Sequence, residues 1–329
     1  MKLLILTYQN INVYGINQVL KDLIPFINKK LEVSTNISFF KFLLSNVDII
    51  HIHGLWHPRF FFFFLIAKLK TTKVIISPHG MLDPESYAIK AWKKKIALLT
   101  YQGIVLWGAN LIIVNSKKEK HNLQKKVKFQ NVIIISHGIV VKKIKKKRHG
   151  NPIHCIYFSK IHPIKNLLQL VQAWSLSKKL RIFKLSIFGE IDDVNYFNKI
   201  LKIIKNTKNI FFLGKIKKNK ILNLSLYDVF ILPSKSENFG LVVLEALNAG
   251  LYLILNKSLP WKDLTKNNFA SFINFNTHNL ENKILHIEKN KKFLLSKSLN
   301  KKKIIYLKSN YNWEDISQQY ILEYKKLFF

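Results

Sequence analysis

Acidic side chains are scarce in this chain, with 18 Asp and Glu among 329 residues against 54 Lys and Arg, a formal charge of +36. Arginine is scarcer still: Arg59, Arg148 and Arg181 are the whole supply. The bidentate forks that read base edges are therefore nearly missing, no aromatic RNA-binding signature replaces them, and a nucleic-acid partner is not expected. Cys155 is the single cysteine, which leaves no intrachain disulfide and makes a reducing cytosol the expected compartment. The apolar run Phe60 to Ala67 falls far short of the roughly 20 residues that span a bilayer, and Lys68 and Lys70 close it. The start, MKLLILTYQN, lacks a small-residue cleavage site and passes straight into a strand-like pattern, so no leader is expected.

What is abundant is lysine, and it admits two readings. Lysine beside plentiful Asn, Ile and Phe is what an AT-rich coding sequence writes over any surface; the alternative is an anionic partner, for which clustered lysines suit a membrane surface or a phosphorylated substrate. The length fits two domains of roughly 150 residues. Short apolar runs recur at Leu3 to Leu6, Val47 to Ile52, Val74 to Ile76, Leu111 to Val114 and Val132 to Ile135, then at Ile153 to Phe158, Leu185 to Phe188, Ile210 to Leu213, Val229 to Leu232 and Leu251 to Leu255. Such runs read as buried parallel strands, and the helical-length segments between them, such as Ile16 to Asn28, Leu167 to Ser177 and Tyr196 to Lys205, predict doubly wound α/β layers. The basic stretch Lys142 to Arg148, followed by His149, Gly150, Asn151 and Pro152, predicts a linker that divides the chain into domains 1–148 and 149–308. In the tail, 309–329, Trp313, Ile316, Tyr320, Tyr324 and Phe328 make one apolar helical stripe that should pack back on the body.

In open α/β sheets ligands sit beyond the carboxyl ends of the strands, so polar residues just after strand runs are the site candidates. These are His53 and His57, His79 and Gly80, Lys160 to Lys165, Gly189 and Glu190, Gly214 and Lys215, and Glu237. The segment SKSENFGLVVLEALNAG, 234–250, predicts a strand, a loop and a helix from about Phe239 to Asn248 that ends at Gly250. Gly240 in the first turn lets a ligand approach backbone N–H groups, and the helix dipole there favours a phosphate. Glu237 lies at that mouth and Glu245 two turns in, and a carboxylate suits vicinal hydroxyls such as those of a ribose. The plainer alternative is that Glu237 caps the helix and Glu245 pairs with a neighbouring lysine.

These residues carry a resemblance. The two glutamates in LPSKSENFGLVVLEALNAGLYLILNKSLPW resemble the donor-site signature of retaining glycosyltransferases of family 4, which have the two-domain GT-B fold. The segments DIIHIHGLWHP, SPHGMLDP, FSKIHPIKNLLQLVQAW, LSIFGE and NIFFLGKIKKNKI are similar to other stretches of that family in the same order, so the likeness runs through nearly the whole chain. It implies two Rossmann-like domains facing across a cleft, with the tail helix returning to the first. It further implies that Glu237 binds hydroxyls of the transferred sugar and Glu245 the ribose, while backbone N–H groups of Phe239, Gly240 and Leu241, beside Asn238, cradle the distal phosphate. Lys165 and Lys160 would neutralise the departing diphosphate, Lys160 standing where the family usually has arginine. His79 would lie near the anomeric carbon, and Gly15, Gly189, Gly214, Lys215 and Ile216 would line the donor side, the last three near the base. Gly15 follows Tyr14 where the family shows two glycines, and Ser159 replaces a usual glycine. His53 and His57 are acceptor-side candidates that either orient a hydroxyl or cap the loop.

With cations and a helix N-terminus for the diphosphate, no metal and no cofactor are expected; Asp192 and Asp193 are adjacent, and an exposed turn is their expected place. The implied activity is transfer of a hexosyl unit from a UDP- or GDP-sugar to a saccharide acceptor, lipid-linked, in bacterial surface polysaccharide assembly, lipopolysaccharide included, by a cytosolic protein peripheral to the membrane. A nucleotide-sugar epimerase or phosphorylase of related fold, and a non-catalytic anion-binding protein on the same scaffold, are the rivals. Five consecutive phenylalanines cannot share one helix face, so Phe60 to Phe64 belong either to a buried helix or to one dipped into a membrane interface.

Overall fold

Twelve strands pair into two six-stranded parallel sheets among the described residues of the computed structural model, which are 1–8, 14–128, 131–141, 152–216 and 224–328. The first sheet holds β1 (Lys2–Leu6), β2 (Glu32–Thr35), β3 (Ile49–His53), β4 (Lys73–Ser77), β5 (Leu111–Val114) and β6 (Val132–Ile134) in the order β2-β1-β3-β4-β5-β6. The second holds β7 (His154–Phe158), β8 (Lys184–Phe188), β9 (Ile210–Phe212), β10 (Val229–Leu232), β11 (Tyr252–Asn256) and β12 (Ala270–Ile273) in the order β12-β11-β10-β7-β8-β9. Every ladder is parallel.

The ten expected runs fall on ten of these strands. The other two, β2 and β12, are sheet edges. A central parallel strand is covered on both faces and needs an unbroken apolar run, as in β5 and β10, where all four residues are buried. An edge strand is free of that demand: none of the four residues of β2, EVST, is buried.

The chain divides into two compact units, residues 1–140 with 311–329, and residues 141–310. The expected boundary at 148 and the linker Lys142 to Arg148 lie outside the described residues. In the first unit one face of the sheet is covered by helices whose inner residues include Phe42, Phe60, Phe63, Phe64 and Leu106. On the tail helix, Trp313–Lys326, Trp313, Ile316, Tyr320, Ile321 and Tyr324 are buried, each worth about 1.5–3 kcal/mol of apolar transfer before entropy is charged against it. That helix packs on Tyr14–Ile27, and Asn312 caps it by accepting from Glu314 N at 3.1 Å. Phe328, expected on the same stripe, lies beyond the helix and is 46% exposed, because the last helical turn ends at Lys326.

Candidate functional site

Strand order fixes where the loops of the second unit can meet. From the adjacent strands β7 and β10 the order runs outward in both directions, so the helices that follow them leave toward opposite faces and open a crevice between the two loops. Lys160 and Lys165 lie on the first of those loops and Glu237 on the second. Lys165 Nζ donates to both Glu237 oxygens, at 2.7 and 2.8 Å, with the carboxylate side chain 7% exposed and the lysine 23%. The loops are also joined through backbone, Lys235 N donating to Ile164 O at 2.9 Å, and through Asn166 Nδ2, which donates to Pro233 O at 3.3 Å.

The helix after Glu237 runs Leu241–Asn248, two residues later than expected at its start. Gly240 is its N-cap, at φ 74° and ψ 56°, a left-handed conformation that a side chain would strain. The N-cap residue, a glycine, offers no side-chain cap, and the Glu237 carboxylate faces Lys165. Phe239 is buried edge-on against Trp261, with ring centroids 5.5 Å apart, and Asn238 and Leu241 are half-buried beside it. Glu245 is half-buried in the second turn. At the far end Gly250 takes φ 79°, and the buried Lys303 donates to Gly250 O and Leu251 O at 3.1 and 2.8 Å, so a cation sits where the helix dipole is negative.

The neighbouring loops close the same end of the sheet. Gly189 N donates to Gly214 O at 3.0 Å, and a Cβ on Gly189 would lie 2.1 Å from Ser159 O, so only glycine permits this approach. Gly214 has φ 73°. Lys215 reaches Glu190 at 3.0 Å and Lys160 reaches Asp192 at 3.8 Å, both in half-open positions that leave the ammonium groups to solvent; Ile216 follows on the described edge of that loop. Asp193 caps the helix Val194–Lys205 by accepting from Tyr196 N at 2.8 Å, a structural task. Among the described residues no group of three His, Cys, Asp or Glu side chains could hold a metal ion.

In the first unit the expected histidines separate. His57 caps the helix Pro58–Leu69, its Nδ1 accepting from Arg59 N at 3.2 Å. His53 is 1% exposed and lies beneath His79, its Nδ1 at 2.9 Å from His79 Nε2, so it has no surface to offer an acceptor. His79 is half-buried at φ 53°, between His53 and His137, with ring centroids at 5.2 and 5.5 Å. Asn115 Nδ2 lies 3.3 Å from His79 Nδ1, so both His79 nitrogens are engaged, the Asn115 contact being the longer. His51 continues the column, bonded to Tyr324 OH and Ser77 Oγ, each at 2.8 Å. Burial, the largest cause throughout, lowers His51 to about 3 and His79 to about 4, and holds His53 and His137 well below the usual imidazole range. All four rings are neutral near pH 7. Gly15 sits in the first turn of the helix Tyr14–Ile27 with open space where a Cβ would point, and residues 9–13 before it lie outside the described residues.

Glu119 was not among the sequence candidates. Its buried carboxylate accepts from Gly80 N and from Asn115 N, the latter at 2.7 Å, and so fixes the loops on both sides of His79. The signal was present: Asn115 and His137 follow strand runs, and Ser116 to Glu119 is a capping-box spacing, with Ser116 Oγ accepting from Glu119 N at 3.1 Å.

Comparison with known proteins bears on the family and the fold. The model of the glycosyl transferases group 1 matches residues 141–306, and that of Glycosyltransferase Family 4 matches residues 12–143. An uncharacterized 41.2 kDa protein in the cps region of Klebsiella pneumoniae is 28% identical over 240 residues, 66% of this chain and 62% of its own length, so the likeness spans less than two thirds of that relative. Among solved structures, HepE of Anabaena in complex with UDP and glucose superposes with a TM-score of 0.77 at 17% identity, covering 99% of this chain and 100% of that one. Sucrose-phosphate synthase of Thermosynechococcus elongatus gives 0.75 at 16% identity, covering 100% and 99%.

Proposed function

The chain belongs to the group 1 glycosyl transferases and has the GT-B architecture, and from that footing we propose that it moves a hexosyl unit from a UDP- or GDP-sugar to a saccharide acceptor with retention at the anomeric carbon. The observation that carries the reading is the contact of Lys165 with both oxygens of Glu237 at the β7/β10 crevice. A cation that would meet the diphosphate and a carboxylate that would meet the sugar are thus neighbours, which supports the reading. Charge develops on the leaving nucleotide diphosphate as the glycosidic bond breaks, and Lys165, Lys160 and the N–H groups of Phe239, Gly240 and Leu241 would answer that charge. Glu237 holds hydroxyls of the transferred sugar in an orientation that Lys165 has already set. Glu245 takes the ribose, and the Gly189, Gly214, Lys215 and Ile216 loops flank the base. Lysines and a helix N-terminus answer the diphosphate charge, so the mechanism calls for no metal.

His79 acts on the sugar as a neutral hydrogen-bonding group. Burial keeps its proton affinity too low for it to serve as a general acid near pH 7. To offer a nitrogen to the sugar it gives up the 3.3 Å contact with Asn115 and keeps the 2.9 Å bond to His53. The acceptor we propose is lipid-linked and belongs to surface polysaccharide assembly, which the cps-region relative supports, and the protein works peripherally at the inner face of the membrane. No helix among the described residues is long and apolar enough to cross a membrane.

Incubating the protein with a panel of UDP-, GDP- and ADP-sugars and following sugar release and transfer tests the proposal. Slow donor hydrolysis to the sugar with unchanged anomeric configuration, lost in Glu237→Ala, is the expected result. Recovery of an epimerised sugar nucleotide, or no turnover of any donor, would overturn it.

A further inference from the structure

Four helices of the first unit carry apolar stripes on their outer sides, where an ordinary surface helix would be polar. On Pro58–Leu69 the inward residues are Phe60, Phe63, Phe64 and Ala67, while Phe62, Leu65 and Leu69 are exposed at spacings of three and four. The phenylalanine run is therefore split, part core and part surface. On Phe39–Leu44 only Phe42 is buried, and Phe40, Leu43 and Leu44 face outward, Leu44 at 87% exposure. On Ala91–Leu99 the exposed residues are Trp92, Ile96 and Leu99, again one helical face. Ile104 and Trp107 repeat the pattern on Tyr101–Gly108.

The four stripes belong to one layer. Phe39–Leu44 packs on Pro58–Leu69, that helix on Tyr101–Gly108, and the last on Ala91–Leu99. Single exposed apolar residues are ordinary, but adjoining helices that each expose an apolar stripe leave more such surface than soluble proteins usually do.

The charge of the layer is of one sign. Between Asp48 and Asp83, and again between Glu85 and Glu119, the sequence has no acidic residue at all, whereas Arg59, Lys68, Lys70, Lys90, Lys93 and Lys95 lie in those spans. Lysine ammonium groups sit over aromatic rings of the same layer, Lys68 at 5.6 Å from the Phe64 centroid and Lys93 at 5.2 Å from that of Trp92. Exposed apolar residues and indoles, with lysines on the same helices, match a headgroup boundary, where rings enter the acyl edge and lysines stay with anionic phosphates. A second copy of the chain is disfavoured as occupant, because a twofold contact would set this basic face against itself.

We propose that this layer docks the protein on an anionic lipid surface, with Phe40, Leu44, Phe62, Leu65, Trp92 and Trp107 entering the interface. This deepens the membrane-peripheral reading given above and rests on it for its purpose, since a docked first unit would meet an acceptor carried by the same membrane.

Flotation of the full chain with phosphatidylcholine vesicles, and with vesicles of phosphatidylcholine and phosphatidylglycerol in equal parts, tests the docking face. The wild type is expected to bind the anionic vesicles at least about tenfold more tightly, less so at high salt. The double variant Leu65→Glu with Trp107→Glu should lose about tenfold or more of that binding. A control of equal charge, Ile305→Glu with Leu322→Glu, replaces exposed apolar residues elsewhere and should keep most of it. Equal loss in both double variants, no preference for anionic vesicles, or a wild-type dimer that Leu65→Glu with Trp107→Glu converts to monomer would overturn the proposal, the last by making the face an interface between copies. UDP binding is measured on the same samples. Nucleotide binding without vesicle binding refutes the docking face alone, and vesicle binding without nucleotide binding refutes the transferase reading alone.

Discussion

Lowering the pH through the imidazole range should unfold the first unit, because its histidine column is buried neutral. His51, His53, His79 and His137 all have proton affinities depressed chiefly by burial, with His51 at about 3 and His79 at about 4 against 6.5 when unfolded. The sign follows from proton uptake. Between pH 6.5 and about 4 the unfolded chain takes up protons that the folded one refuses, so stability is fully present above 6.5 and is lost as the pH falls. Each ring costs about 1.4 kcal/mol per pH unit in that window, so four rings at about pH 5.5 remove roughly 5 kcal/mol, comparable with the whole stability of a small domain. Asp83, raised by burial, works in the opposite sense. Urea unfolding followed by near-ultraviolet circular dichroism at about pH 7.5, 6.5 and 5.5 measures the effect. His137→Phe should reduce the slope by about one quarter. A change below about 1 kcal/mol between pH 7.5 and 5.5 would refute the reasoning, since the rings would then have to be charged or hydrated in the folded state.

Other substitutions probe the scaffold of both sites. Glu119→Ala removes the acceptor of Gly80 N–H and Asn115 N–H and should cost about 2–5 kcal/mol in a thermal or urea melt, with Glu119→Gln recovering part of it. Gly189→Ala would drive a Cβ to 2.1 Å from Ser159 O, so a loss of about 1–3 kcal/mol together with weaker nucleotide binding is expected; a wild-type melt would contradict the close approach. Lys303→Met leaves the Gly250 and Leu251 carbonyls without their buried cation and should destabilise the second unit by about 2–4 kcal/mol, read from its denaturant midpoint.

The strands of both sheets were legible wherever a strand is buried on two faces, because runs of four to six apolar, largely β-branched residues closed by polar or glycine-bearing loops suit such a strand, whereas the longer run Phe60 to Ala67 is helical. The edges β2 and β12 were not legible, since EVST has no buried residue to announce it. Lys160, Lys165, Gly189, Gly214, Lys215 and Glu237 could be listed from their positions after strands, yet the contact of Lys165 with Glu237 joins residues 72 apart and depends on β10 lying beside β7, an order that no local pattern writes. The histidines show the converse. His53 and His57 looked alike as residues after a strand, and only packing shows one buried under His79 and the other capping a helix. Within Phe60 to Phe64 the uniform run carries no periodic contrast, so which rings face the core is decided by the neighbouring helices.

On the proposed function, the β7/β10 crevice of the second unit binds a nucleotide diphosphate through Lys165. Calorimetric titration of UDP and GDP into the wild type and into Lys165→Ala, with folding checked by circular dichroism, tests it most directly. Saturable binding of at least one nucleotide is expected, weakened by Lys165→Ala about tenfold to a hundredfold, the worth of a charge-assisted contact to phosphate. Equal affinity in the two proteins, or no binding of either nucleotide to the folded wild type, would contradict it.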